Sequence, residues 1–302
     1  MTETEQSQGT VIAAFRSYTL VKDPDDKLFQ CQQRKSVGQV VCGDVVNWQL
    51  EGPNTGVILS IDERHSILQR PDINGNLRII ASNIDQVFIV VAHKPALNEG
   101  LIDRYLVAAE NSHLKPVILL NKIDLLDEQQ FSDLKQRLQQ YQDIGYTVLY
   151  TSAKQIHGLD SLTKILKKNN NIFVGQSGVG KSSLINTLLK DSDARVGEIS
   201  AATGKGKHTT TTAYLYPLEH SQGHIIDSPG VREFGLIKLS EDDVLNGFAE
   251  FKPYIGYCQF RNCTHQNEPG CALLKALKNN EITSQRWKSY QRIIATLNES
   301  RY

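Results

Sequence analysis

The sequence predicts a multidomain chain: an N-terminal OB-like β-barrel, a central α/β layer on a mostly parallel sheet, and a C-terminal α-helical segment that binds a metal. Three observations carry this prediction. Residues 1–82 break into short strand-like runs between turn signals, residues 83–235 alternate continuous apolar runs with amphipathic ones, and residues 236–302 hold three of the five cysteines. A chain of 302 residues suits two or three domains. At 40% hydrophobic and 22% charged it can bury a sizeable core. No apolar run approaches the ~18 residues of a membrane span, and the acidic, polar start "MTETEQSQGT" is unlike a secretory signal. An odd cysteine count, with three cysteines in one short window, fits a reducing cytoplasm and a metal site better than a disulfide framework.

The barrel comes first. "GTVIAAF", "SYTLVK", "KLFQCQQ", "DVVNWQL" and "TGVILSIDER" read as strands, separated by turn chemistry at Asp23–Asp26, Glu51–Gly56 and Asn74–Asn76. About five strands in ~80 residues fit a small barrel or a sandwich, and periodicity alone does not choose between them. From about Ile84 the rhythm becomes strand, loop, helix. "DQVFIVVA", "PVILL", "TVLYTSAK", "NIFVG" and "HIID" are the strands; "NEGLIDRYLVAAENS", "QQFSDLKQRLQQYQ", "HGLDSLTKILKK" and "SSLINTLLK" are the helices. Apolar strands alternating with amphipathic helices predict a parallel sheet covered on both faces. The remainder reads as helical around a Cys/His-rich loop, and its last helix places Trp287, Tyr290, Ile294 and Leu297 on one packing face.

"GQSGVGKS", from Gly175 through Gln176, Ser177, Gly178, Val179 and Gly180 to Lys181 and Ser182, satisfies the phosphate-loop pattern, with Ser183 opening the helix behind it. Its glycines let backbone N–H groups curl around an anion. Lys181 is placed to reach the β- and γ-phosphates and the Ser182 hydroxyl to hold Mg²⁺. "NKID" (Asn121, Lys122, Ile123, Asp124) directly follows a strand and addresses base choice, because a carboxylate accepts from both N1–H and the 2-amino group of guanine whereas adenine offers neither donor. "TSAK" ends the next strand, so Ser152, Ala153 and Lys154 can present backbone N–H groups to the guanine oxygen. "DSPG" closes the strand "HIID": Asp227 is placed to hold Mg²⁺ through water and the Gly230 N–H to sense a γ-phosphate. Between phosphate loop and DSPG lies "GKGKHTTTT", from which Thr210 is the favoured second Mg²⁺ ligand; four threonines also suit the start of an edge strand.

NKID, SAK, GQSGVGKS, the GKGKHTTT region and DSPG are the elements of a GTPase in permuted order. Over essentially its whole length the chain resembles the circularly permuted, ribosome small-subunit-dependent GTPases of the RsgA family. The order has a simple physical basis. The last helix and first strand of a GTPase end close together, so a permuted gene can join them and open the chain elsewhere. Here "LTKILKKNN" runs straight into "NIFVG". The boundaries expected are 1–82 for the barrel, 83–235 for the GTPase and 236–302 for the zinc domain.

Ras-like GTPases orient the attacking water with a glutamine after the DxxG glycine; here that position is Val231. His208 is the nearest titratable candidate, and the resemblance implies this role, with phosphate or RNA contact as the alternative. Cys258, Cys263, His265 and Cys271 read C-x₄-C-x-H-x₅-C, four ligands within 14 residues that suit a closed tetrahedral Zn²⁺ site. His113, His157, His220 and His224 have no comparable partners and read as structural.

The resemblance implies GTP hydrolysis during late maturation of the small ribosomal subunit, stimulated by that particle, with rRNA contact through the barrel and zinc domain and a cytoplasmic, monomeric protein. Net charge is zero, so the basic groups that could meet RNA are local: Lys205, Lys207 and His208, Arg261, and Arg286, Lys288 and Arg292 on the last helix. Tyr18, Phe29 and Trp48 are possible stacking groups, each better suited to core. The competing reading is a binding module regulated by GTP in which turnover is incidental.

Overall fold

A computed structural model describes residues 6–71, 76–189, 212–218, 222–228 and 239–299. Five strands, β1 (Gln6–Ala14), β2 (Thr19–Lys22), β3 (Leu28–Gln33), β4 (Val45–Gly52) and β5 (Thr55–Ile61), follow the five runs predicted above. β1 pairs antiparallel with both β2 and β4, β2 with β3, and β4 with β5, while β3 lies parallel to β5. That circuit closes a barrel, which settles the choice against a sandwich. Its interior is filled by Val11, Val21, Cys31, Val46, Trp48 and Ile58. Trp48 takes the space that side chains at Gly9 and Gly56 would need, since a Cβ at either would come within 2.9 Å of the indole. At 3% exposure Trp48 is core, packed against Phe29 with ring centroids 4.6 Å apart and the ring planes tilted by 42°.

A hairpin not foreseen from the sequence follows, β6 (Ile67–Pro71) with β7 (Leu77–Ser82). It is seated by Asp44, which is fully buried and accepts from Arg64 Nε (2.6 Å), Arg64 Nη2 (2.8 Å), Ser82 Oγ (2.6 Å) and the Val41 N–H (2.8 Å). A buried carboxylate needs such a set of donors.

The α/β layer comprises β8 (Gln86–Val91), α1 (Glu99–Asn111), β9 (Lys115–Leu120), α2 (Glu128–Asp143), β10 (Thr147–Tyr150), α3 (Asp160–Leu166), β11 (Asn170–Val174), α4 (Lys181–Leu189), β12 (Tyr214–Pro217) and β13 (His224–Asp227). The strand order is β10-β9-β8-β11-β13-β12, parallel except for β12. Both faces are covered, as the continuous apolar strands require. Val87 and Ile89 pack with α1 and α2, whereas Phe88 and Val90 pack with α3 and α4. Only residues 167–169 separate α3 from β11, which is the permutation junction. β12 also pairs with β1 (Tyr214 opposite Ala13), so barrel and layer share one sheet.

The C-terminal segment contains α5 (Glu241–Asn246), a 3-10 turn at Ala249–Tyr254, α6 (Ala272–Lys278) and α7 (Ser284–Glu299). Its core gathers Val244, Phe248, Phe251, Leu273, Trp287, Tyr290 and Ile293 and takes in Val107 of α1. Ile293 is the buried position of the α7 stripe, while Ile294 and Leu297 are half-buried. Arg286, expected to face RNA, is instead fully buried. Its Nε and Nη2 donate to Glu250 (2.6 and 3.1 Å), Nη1 donates to Asp103 of α1, and the guanidinium lies 4.3 Å over the Phe248 ring. The reason is positional: Arg286 sits one helical turn before Tyr290 and two before Ile293, on the face that packs.

Candidate nucleotide cleft and metal centre

Strand ends build the cleft. β11 stops at Val174 and α4 begins at Lys181, so residues 175–180 must reverse direction within a few ångströms. Gly175, Gly178 and Gly180 do so with φ of +136°, +84° and +98°, angles that L side chains rarely adopt. A Cβ at Gly175 would strike the Val90 carbonyl and one at Gly180 the Asn121 amide. Val179 is buried and anchors the loop, while Gln176, Ser177 and Gly178 face outward. Lys181 Nζ donates back to the carbonyls of Gly175 (2.8 Å) and Gln176 (2.9 Å), which holds its charge over the loop. Ser182 and Ser183 are exposed on the first turn of α4.

NKID meets this loop directly. Asn121, 1% exposed, donates from Nδ2 to the Val179 carbonyl at 3.0 Å. Lys122 adopts a left-handed conformation (φ +63°) that swings its ammonium 2.5 Å from the Gly178 carbonyl. Ile123 donates its N–H to the Thr151 carbonyl (3.2 Å), and Asp124 accepts from Ser152 Oγ at 2.6 Å. Ser152 Oγ in turn accepts the Lys154 N–H (3.2 Å), with Ala153 half-buried between them. NKID, SAK and the phosphate loop, read from three separate stretches, therefore form one hydrogen-bonded unit.

Asp227 ends β13 and is exposed. It lines a cleft of about 510 Å³ together with Lys122, Gly178, Lys181, Ser182 and Thr212. Tyr214 and Tyr216 also border this cleft and were not singled out from the sequence; Tyr214 stands opposite Asp227 in the β12–β13 pair, a register that needs the fold. His208, Thr210 and Gly230 lie outside the described residues.

In the C-terminal segment Cys258, Cys263, His265 and Cys271 place their ligand atoms within 4.8 Å of one another. Cys258 Sγ is 3.6 Å from His265 Nδ1 and 3.9 Å from Cys271 Sγ, and His265 Nδ1 is 3.5 Å from Cys271 Sγ. A tetrahedral centre with bonds of ~2.0–2.3 Å has edges of about 3.4–3.8 Å, so the donor set fits a zinc-like ion. The connecting turn is pinned by Glu268, which accepts from the Thr264 N–H (2.7 Å), Thr264 Oγ1 (2.5 Å), the Gln266 N–H (2.9 Å) and the Asn267 N–H (3.1 Å). Those donors, Thr264 first, hold its carboxyl down at about 2. Burial lowers the pKa of His265 and keeps the imidazole neutral, the form that ligates.

A parallel sheet with a glycine phosphate loop, a braced NKID/SAK pair and an aspartate at the adjoining strand end defines a P-loop GTPase. Its base-reading elements precede its phosphate loop, so it is a circularly permuted one. The family model for the RsgA GTPase matches residues 61–237, and the chain belongs to that family. A relative from Ectopseudomonas mendocina (strain ymp), "Small ribosomal subunit biogenesis GTPase RsgA", is 47% identical over 301 residues, covering 98% of this chain and 88% of the relative. A relative of the same name from Haemophilus influenzae (strain PittGG) is 42% identical over 302 residues, covering 98% and 87%. Among solved structures, YloQ, described as a circularly permuted GTPase, superposes with TM-score 0.79 at 26% identity over 99% of this chain and 98% of that one. YjeQ from Thermotoga maritima gives TM-score 0.80 at 28% identity, covering 97% and 99%.

Proposed function

We propose that this protein binds the small ribosomal subunit and hydrolyses GTP to GDP and phosphate during late maturation of that particle, which stimulates the turnover. The observation that carries this reading is the single hydrogen-bonded unit of NKID, SAK and phosphate loop, in a chain 47% identical to a small-subunit biogenesis GTPase. Asp124 accepts the N1–H and 2-amino donors of guanine, Lys122 lies along the base, and Ser152, Ala153 and Lys154 face its oxygen. The N–H groups of residues 175–183 enclose the phosphates, with the positive end of α4 behind them. Ser182, Thr210 and, through water, Asp227 would hold Mg²⁺, which would supply positive charge against the phosphates. Lys181 opposes the same charge, Gly230 registers the γ-phosphate, and His208 positions the attacking water where Val231 cannot. The Cys258–Cys263–His265–Cys271 centre takes one structural Zn²⁺.

Barrel (1–82), GTPase (83–235) and zinc domain (236–302) meet rRNA through the two flanking units, using the exposed Arg261, Lys288 and Arg292. The protein works as a monomer in the cytoplasm. No helix among the described residues is long and apolar enough to cross a membrane. GTP hydrolysis measured with purified small and large subunits in parallel tests this reading. Stimulation by small subunits alone is expected; equal response to both, or to neither, leaves a GTP-regulated binding module.

A further inference from the structure

Three consecutive residues of α1 point in three directions, as the 100° helical step requires. Asp103 is fully buried, accepting from Arg286 Nη1 of α7 and from Tyr141 Oη of α2 at 2.9 Å. Arg104 Nη2 donates to Thr296 Oγ1 of α7 at 2.8 Å. Tyr105, 5% exposed, turns the other way, and its hydroxyl faces the backbone N–H of Gly175, the first residue of the phosphate loop. Tyr105 also lines, with Val90, Gly175, Gln176 and Val179, a narrow crevice beside that loop with only about 10 Å³ of room for water. Such a space holds one water at most, so the tyrosine packs against the loop's first turn with little free room between them. At the far end of α1, Asn111 Nδ2 donates to the Asp243 carbonyl of α5 at 2.8 Å, and Gly247 approaches so closely that its Cβ would lie 2.6 Å from Val107.

We propose that Tyr105 is a positioning residue for the phosphate loop and that α1 makes nucleotide affinity depend on how α7 is seated. The inference rests on the cleft being the nucleotide site. The link bypasses the segment after Asp227: α1 is one rigid element gripped by the C-terminal segment on one side and supporting the Gly175 turn on the other. By reciprocity, a partner that shifts α7 changes nucleotide affinity, and bound nucleotide stiffens the seat of α7.

Binding of fluorescently labelled GDP and a non-hydrolysable GTP analogue to the full chain tests this, with thermal unfolding as a control for fold. Tyr105→Phe removes the hydroxyl that faces the Gly175 N–H and is expected to weaken both nucleotides in parallel, roughly fivefold to tenfold, with guanine still preferred over adenine. Arg104→Ala and Thr296→Val, remote from the cleft, are expected to weaken binding about twofold to threefold each and to add little in the Tyr105→Phe background, because coupled positions are not additive. Unchanged affinity in Tyr105→Phe overturns the positioning role, and full additivity with Arg104→Ala overturns the link through α1. Lys181→Ala separates the two readings. If it loses nucleotide while Tyr105→Phe does not, only this inference fails; if it too binds normally, the cleft assignment falls and the inference with it.

Discussion

The nucleotide cleft draws its polar groups from residues 121, 152, 175–183 and 227, which stand at the ends of four different strands. The metal centre draws all four ligands from residues 258–271, between the 3-10 turn and α6. In the cleft the sheet fixes the spacing, and Asn121 and Ser152 only trim it, so the fold should persist when the ligand leaves. In the metal centre no strand or helix sets the spacing, and the connecting turn is held by Glu268 and the ligands themselves. There a bound ion would organise the chain. The comparison predicts opposite responses to the loss of a bound group, and the sharpest way to break it is to remove the metal.

Chelation, or Cys258→Ser, should unfold residues 239–299 while leaving barrel and sheet intact. Structural zinc contributes on the order of 10 kcal/mol in small metal domains. Trp287 lies in the C-terminal core and Trp48 in the barrel, the chain's two tryptophans. A Trp48→Phe background therefore lets fluorescence follow the C-terminal segment alone. Metal-free protein with an unchanged Trp287 signal would put both regions in the same class.

Next in size is Arg286, where the C-terminal segment grips α1. Arg286→Met leaves Asp103 and part of Glu250 buried without their cation, and removing one partner of such a set costs about 3–5 kcal/mol. Urea unfolding reads this, and a midpoint within experimental error of wild type would show that the two units are held by apolar packing alone.

Arg286 also marks where sequence reading failed. The strands, the helices, the phosphate loop and the C-x₄-C-x-H-x₅-C ligands were legible because each follows from a short-range pattern: alternation, amphipathic spacing, glycine turns, metal chemistry. The meeting of Asp124 with Ser152 was legible too, since both follow strands of one parallel layer. From sequence Arg286 counts among the basic groups of the last helix that could meet RNA, with Lys288 and Arg292, although its spacing to Tyr290 and Ile293 places it on the packing stripe. What no local pattern carries is its partner Asp103, 183 residues away. The hairpin β6–β7 was missed for a related reason, because Asp44 and Arg64, which seat it, are anonymous charges until the barrel closes.

Within the cleft the comparison sharpens to a single atom pair. Asp124→Asn keeps the Ser152 contact geometrically possible but turns one guanine acceptor into a donor. GTP affinity should fall roughly 100-fold, about 3 kcal/mol, while xanthosine triphosphate, with an acceptor where guanine has its amino group, should gain. The melting temperature should not move, in contrast to the metal ligands. Retained GTP affinity would remove NKID as the base reader.

The smallest effect concerns the sheet that carries the cleft. His224 opens β13, the strand that ends at Asp227, and contacts Asn170 Oδ1 through Nδ1 at 3.1 Å. Burial lowers its pKa to about 4, with Lys22 adding to the shift and Asp26 and Asp85 opposing it. The imidazole is thus neutral in the fold but takes a proton at about 6.5 when unfolded. Between those values the unfolded chain binds more protons, so stability is complete above pH ~6.5 and declines as pH falls toward 4. At pH 5 the loss is about 2 kcal/mol. Replacing His224 with asparagine should flatten the decline between pH 7 and pH 5 while leaving later acid transitions, including metal release, in place. Unfolding curves for both proteins with metal bound provide the measurement. If their pH profiles run parallel, His224 is hydrated in the fold and the strand leading to Asp227 does not sense acid through it.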